Sequence, residues 1–211
     1  MPLKYSCFIS HKNGQDFIAE AFLRDFHKAL QGEAKMLKPY DCFVDYDRLK
    51  PGHLYNELLA RKLCQSACLV VIYTPRYFDT QALYCAREYR AMELLEEARF
   101  AELGIPKSTN GLIIPVVLRG REDLPVAISS KRQFCDFENF FFGGRPISEQ
   151  ARYAEQMRDL ARYISERCTE LERIPAAFDD CDQSSLPLEA DIKPWLNAML
   201  SPRLKLPSRE S

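Results

Sequence analysis

Four groups of side chains in this sequence have types and spacings that could do chemistry. Ser10-His11-Lys12 puts a hydroxyl, an imidazole and a cation directly after a short apolar run. Asp45 closes a second such run. Tyr84, Cys85 and Glu88 open a helical stretch, the tyrosine one turn ahead of the glutamate. Asp179-Asp180-Cys181-Asp182 is a carboxylate cluster. Each also has an ordinary reading. Glu88 lies near Arg87 and Arg90, as a helix-surface glutamate would, and Lys12 suits a solvated loop. Asp45 suits a loop cap, and His53 an exposed turn. Cys85 as a nucleophile would need a histidine or asparagine to activate it, and the sequence supplies none nearby. The acidic run is not expected to bind metal. With no Cys-x-x-Cys pair and three scattered histidines, no zinc site is expected either.

These groups must be positioned by elements that alternate in type. Residues 4–10 read as a buried strand, followed by a helix to about Leu30 with Ile18, Phe22, Phe26 and Ala29 on one stripe. Cys42 to Asp45 is a short strand, and the next helix carries Tyr55, Leu58, Leu59 and Leu63. Residues 67–73 form a continuous apolar run, as expected of a central parallel strand. A long helix over 82–101, a strand over 112–118, a strand over 133–137 and a helix over 148–172 complete the pattern. Pro115 is awkward in the fourth strand, because proline removes a ladder donor. Strands alternating with helices in this way imply right-handed crossovers and a parallel sheet covered on both faces. Ligands of such sheets bind beyond the carboxyl ends of the strands, where Ser10 to Lys12, Asp45 and the segment after Tyr73 lie.

Composition narrows the class. The 211 residues suit one domain with a modest extension, and 46% apolar against 28% charged residues is ordinary for a globular chain. A formal charge of −1 provides no global basic field, so neither nucleic acid nor anionic membrane is an expected partner. The start, Met1-Pro2-Leu3-Lys4, has no secretory apolar region, and residues 67–73 are too short to span a bilayer. Among the eight cysteines, Cys7, Cys68 and Cys135 sit inside strand patterns and Cys42 opens one, so they read as small core residues. Reduced thiols in the cytoplasm are the expectation. From Arg173 onward the composition changes: five prolines and the acidic run surround one short helical candidate, 192–200, with the only tryptophan, Trp195. Residues 1–172 are therefore expected to form the domain and 173–211 an extension. Trp195, Leu196, Met199 and Leu200 are its expected docking residues.

Several chemistries share this architecture. The chain has no Walker loop and no Gly-x-Gly-x-x-Gly after the first strand. A receiver's phosphoacceptor aspartate is missing from the end of the third strand, where Tyr73-Thr74 stands. A flavodoxin's Ser/Thr-rich phosphate loop is missing too, since Ser10 to Gly14 supplies one hydroxyl.

The ordered motifs carry a resemblance. Tyr5-Ser6-Cys7-Phe8-Ile9-Ser10-His11 is similar to the first box of the TIR (Toll/interleukin-1 receptor) family. Cys42-Phe43-Val44-Asp45 with Leu49-Lys50-Pro51-Gly52 resembles its second strand and BB loop. Residues 65–78, ending Thr74-Pro75-Arg76-Tyr77-Phe78, resemble its third strand and Ser-Pro-x-Tyr turn. Tyr84-Cys85-Ala86-Arg87-Glu88 resembles its Trp-Cys-x-x-Glu helix start, and Pro115 matches a proline common in its fourth strand. The resemblance covers roughly residues 4–172. It implies a flavodoxin-like α/β fold with five parallel strands in the order 2-1-3-4-5.

The resemblance also implies a reaction, cleavage of NAD⁺ at the nicotinamide–ribose bond. NAD⁺ would be substrate rather than cofactor, and no cofactor or metal is expected. Glu88 takes the position of the essential glutamate. Ser10, His11, Lys12, Asp45, Leu54 and Tyr84 take positions about the nucleotide, with Lys12 a point charge for the pyrophosphate. Tyr84 replaces the family's tryptophan but keeps an aromatic face. Leu49, Lys50, Pro51 and Gly52 would pack against a neighbouring TIR domain, in contacts that propagate into filaments or close into rings. The layout is similar to bacterial immune TIR proteins such as those of Thoeris anti-phage systems. That likeness implies an ADP-ribose-derived signal read by a separate effector. The alternative is a non-catalytic adaptor or virulence protein acting through TIR–TIR contacts. A related N-ribosyl or deoxyribosyl transferase would also use a glutamate on such a sheet, but the first box and BB loop argue against it.

Overall fold

Ser66–Tyr73 (β3) is buried at all eight positions, which requires cover on both faces of the sheet it centres. The computed structural model describes residues 3–12, 14, 17–45, 55–104, 110–140 and 150–201. Tyr5–His11 (β1) pairs in parallel with β3 on one side and with Asp41–Val44 (β2) on the other. Ile113–Val117 (β4) pairs with β3, and Cys135–Asp136 (β5) with β4. The order 2-1-3-4-5, all parallel, is the flavodoxin-like arrangement expected.

Phe17–Leu37 (α1) packs on Ala151–Leu171 (α5), through an aromatic cluster of Phe22, Phe26, Phe137 and Tyr153. Tyr55–Cys64 (α2) and Tyr84–Glu102 (α3) pack on each other and on β1 and β3. Helix α1 runs seven residues past the expected end because Leu30 and Ala34 extend its buried stripe. Strand β5 is shorter than expected, two residues instead of five.

The register explains Pro115. Leu69 N–H donates to the Leu112 carbonyl and Leu118 N–H to the Tyr73 carbonyl, so even-numbered residues of β4 address β3. Pro115 therefore turns its missing donor outward, and pairing with β5 begins only at Val116. No ladder bond to β3 is lost.

Helix α3 shows no single apolar stripe, because Cys85 through Tyr89 are all buried. Such all-round enclosure needs cover on the side away from the sheet. That cover comes from the 3₁₀ segment Pro175–Gln183 and the helix Glu189–Leu200 (α6), which pack on α2, α3 and the short turn Val126–Ser129 (α4). The sequence pattern gave no sign of the 3₁₀ segment.

One correction concerns the cysteines. Cys64, ending α2, and Cys181, in the 3₁₀ segment, form a disulfide across a sequence separation of 117, against the expectation of reduced thiols throughout. Their Cα atoms are brought to 5.4 Å by the docking of the segment, which no spacing rule foresees. The other six are free. Cys7 and Cys68 are fully buried core residues, whereas Cys135 is half-buried.

Candidate functional site

Three segments meet at the carboxyl edge of the sheet. Ser10 comes from the last turn of β1, Tyr77 from the turn after β3, and Glu88 from the first turns of α3. All three are fully buried. The turn is held by the Tyr77 N–H donating to the Thr74 carbonyl at 2.9 Å, which aims the phenol back at β1. Ser10 Oγ donates to Glu88 Oε2 at 2.5 Å. It also lies 2.7 Å from the Tyr77 hydroxyl. A serine has one hydroxyl proton. With that proton on the Glu88 bond, Tyr77 must donate to Ser10, giving a chain that runs Tyr77 to Ser10 to Glu88.

The topology is shared by several families, and the sequence decides among them: residues 7–151 match the TIR domain. The chain belongs to the TIR domain family. The match takes in β1 from Cys7 onward, β2 to β5 and α1 to α4, and it stops as α5 begins. No curated protein matches the chain.

Other candidate residues of the TIR domain are distributed unevenly about Glu88. His11 ends β1, and its carbonyl accepts from Cys85 Sγ at 3.4 Å. Cys85 is fully buried, so its thiol serves packing rather than nucleophilic attack. Lys12 pairs with Asp79 at 3.3 Å, both side chains largely covered. The Gln81 backbone N–H, and then Lys12, hold the Asp79 carboxyl below its ordinary value. Asp79 thus offsets part of the charge that Lys12 would offer a phosphate. Asp45 follows the Ile9–Val44 register pair and so stands at the same edge as Ser10. Tyr84 opens α3 with 38% of its surface exposed, and the Arg87 guanidinium lies 5.9 Å from its ring centre. Leu49, Lys50, Pro51, Gly52 and Leu54 lie outside the described residues.

Sequence reasoning missed two participants. Tyr77 was legible only as the last residue of a proline turn, and its proximity to Ser10 spans 67 positions. Asp79, two residues on, had no signal.

A cavity of about 950 Å³ lies elsewhere, between α3, α5 and the starts of β4 and β5. Its lining includes Glu96 and Arg132, joined by two hydrogen bonds at 2.9 and 2.7 Å. It contains none of the candidate residues. Its paired carboxylate is committed to a two-point guanidinium fork.

Proposed function

We propose that this TIR domain cleaves NAD⁺ to nicotinamide and an ADP-ribose product, with Glu88 as the catalytic residue. The observation that carries the reading is the buried Glu88 carboxylate, held at the sheet's carboxyl edge by the hydroxyl of Ser10. A carboxylate offers about four acceptor sites, so one that Ser10 holds through Oε2 can also accept from a ribose hydroxyl.

The leaving group explains why one carboxylate suffices. Glycosidases generally need an acid to protonate the departing oxygen and a second carboxylate for the sugar cation. Nicotinamide in NAD⁺ is already a cationic pyridinium. When the C1′–N bond breaks, its electron pair neutralises that ring, and no proton is required. The ribose becomes oxocarbenium-like and is captured by water, which loses a proton, or by a second nucleophile of the same molecule. A negative charge beside C1′ stabilises this transition state over the ground state. At about 4 Å and an effective dielectric near 20, the attraction is roughly 4 kcal/mol. That is about a thousandfold in rate.

The product is read as a signal for a separate effector in anti-phage immunity, made by TIR domains assembled through Leu49 to Gly52. No described helix is long and apolar enough to cross a membrane.

One observation favours the adaptor reading. Glu88 has no solvent exposure, so substrate reaches it only after a covering segment moves. In the adaptor reading the carboxylate merely ties α3 to β1. Purified protein at high concentration, with and without crowding agents, is incubated with NAD⁺ beside Glu88→Gln and the products are identified by mass spectrometry. Nicotinamide release that the substitution lowers at least about a hundredfold supports the enzyme. Equal turnover by both removes Glu88 from the mechanism. Signalling abolished by Pro51→His but intact in Glu88→Gln supports the adaptor.

A further inference from the structure

The side chains next to Glu88 in the chain, Arg87 and Tyr89, are both gripped by the carboxyl-terminal extension. Arg87 Nε donates to the Pro187 carbonyl at 2.7 Å. The Tyr89 ring lies 6.1 Å from Trp195, whose ring also sits 5.9 Å from the Arg90 guanidinium. Further along α3, Arg99 is buried with its guanidinium 4.6 Å from the Phe178 ring, and it donates to the Cys64 and Ser66 carbonyls at 2.5 and 2.9 Å. Leu186, Ile192 and Leu196 are buried against the domain. The extension lies wholly outside the matched residues 7–151.

A helix as short as α6, with Pro194 inside it, has little stability of its own. Its order depends on the surface beneath it and on what tethers it. The tether is the Cys64–Cys181 bond, joined by an ion pair between Arg61 and Asp182 at 3.2 Å. Both cysteines are buried, at 4% and 0% exposure, so a reductant reaches the sulfurs only when the segment lifts.

We propose that residues 174–200 form a clamp that positions Glu88 by holding its two chain neighbours, with the Cys64–Cys181 disulfide as a latch that a dithiol opens. Trp195 and Arg87 are positioning residues in this device. The latch opens by attack of a dithiol thiolate on one sulfur and closure of the second thiol on the mixed disulfide. Two electrons and two protons pass to the cysteines, and the dithiol leaves as a disulfide. The S–S bond breaks, the anchor of the 3₁₀ segment is lost, and the grip on Arg87 and Tyr89 loosens. The loss falls on kcat rather than on substrate binding, because the clamp holds α3 from the side away from the sheet. The kcat consequence rests on the NAD⁺-cleaving reading; the structural consequence does not.

The test uses the full chain, oxidised and after treatment with dithiothreitol, beside Cys181→Ser, Trp195→Ala and Trp195→Phe. Six thiols alkylate in the denatured oxidised protein and eight after reduction; eight without reduction would overturn the latch. Hydrogen exchange at residues 84–92 and 186–200 rises together, at least about tenfold, on reduction. Nicotinamide release loses at least about fivefold in kcat with KM held within about twofold, Trp195→Ala behaves likewise, and Trp195→Phe recovers most of the rate. Unchanged exchange at 84–92 after reduction overturns the clamp, whatever the activity, as does a rise in kcat or a change confined to KM. If the wild-type protein releases no nicotinamide while exchange responds as stated, the functional reading fails and the clamp stands. If Cys181→Ser does not fold, the reduced wild type and the two Trp195 variants decide the matter.

Discussion

Glu88 and Glu96 stand about two turns apart on α3, and their surroundings differ in kind. Glu96 is held by Arg132 in a two-point fork beside a cavity of about 950 Å³. Glu88 accepts from the hydroxyl of Ser10, which is in turn held by the hydroxyl of Tyr77. A carboxylate in a guanidinium fork has its charge answered and its geometry fixed, which suits it to stability. One held by a hydroxyl is suited to accept from the hydroxyls of a sugar as well. The cavity thus lies at one end of the helix and the hydroxyl-held carboxylate at the other.

The largest separation between the two is expected from the matched pair Glu88→Gln and Glu96→Gln. Nicotinamide release falls at least about a hundredfold in the first and stays within about threefold in the second. Stability runs the other way, with thermal melts giving Glu96→Gln a loss of about 3 kcal/mol from breaking a largely buried ion pair. A Glu96→Gln protein as inactive as Glu88→Gln would erase the distinction.

Reduction of the disulfide comes next. Closing a loop of this length limits the unfolded chain, and its loss should cost about 2–4 kcal/mol in denaturant unfolding. Because the effect acts on the unfolded chain, it should lower the stability of Glu88→Gln and Glu96→Gln equally and leave the comparison between them intact.

Smaller effects grade the hydroxyl chain. Ser10→Ala removes a hydrogen bond to a charged group, about 2 kcal/mol, and kcat should fall on the order of tenfold or more. Tyr77→Phe acts one bond further away, through about 1 kcal/mol, and should lower kcat about fivefold. If Tyr77→Phe proves the more damaging of the two, the direction of the chain is wrong.

The smallest effect is that of pH on the neighbouring Lys12–Asp79 pair. Asp79 titrates below its ordinary 3.8 in the folded protein, so the pair's contribution is fully present above that value and disappears as pH falls through the lower one. Melts of wild type and Asp79→Asn should differ at neutral pH and converge as the pH falls below 3.8 and through the lowered value. A gap that widens toward acid would reverse the sign.

The order of the strands, their parallel sense and the place of Glu88 were legible because they depend on local pattern and on motif order. A central parallel strand is expected to be near-continuously apolar, as 67–73 is, and an amphipathic helix must repeat its apolar residues, as Phe22, Phe26 and Leu30 do. Boundaries were legible only within a few residues, and the two-residue β5 was overestimated because flanking apolar residues, Phe134 and Phe137, belong to packing rather than to pairing.

What the tertiary structure alone decided is everything that joins distant positions. Tyr77 meets Ser10 across 67 residues, Arg87 meets Pro187 across 100, and Cys64 meets Cys181 across 117. None of these pairs has a spacing rule, since each depends on which surfaces remain after the sheet and its helices have packed. The sequence alone determined that a carboxylate would stand at the edge of a parallel sheet. Only the packed chain decided that hydroxyls would hold it and that the extension would brace its helix, because both depend on contacts across the fold.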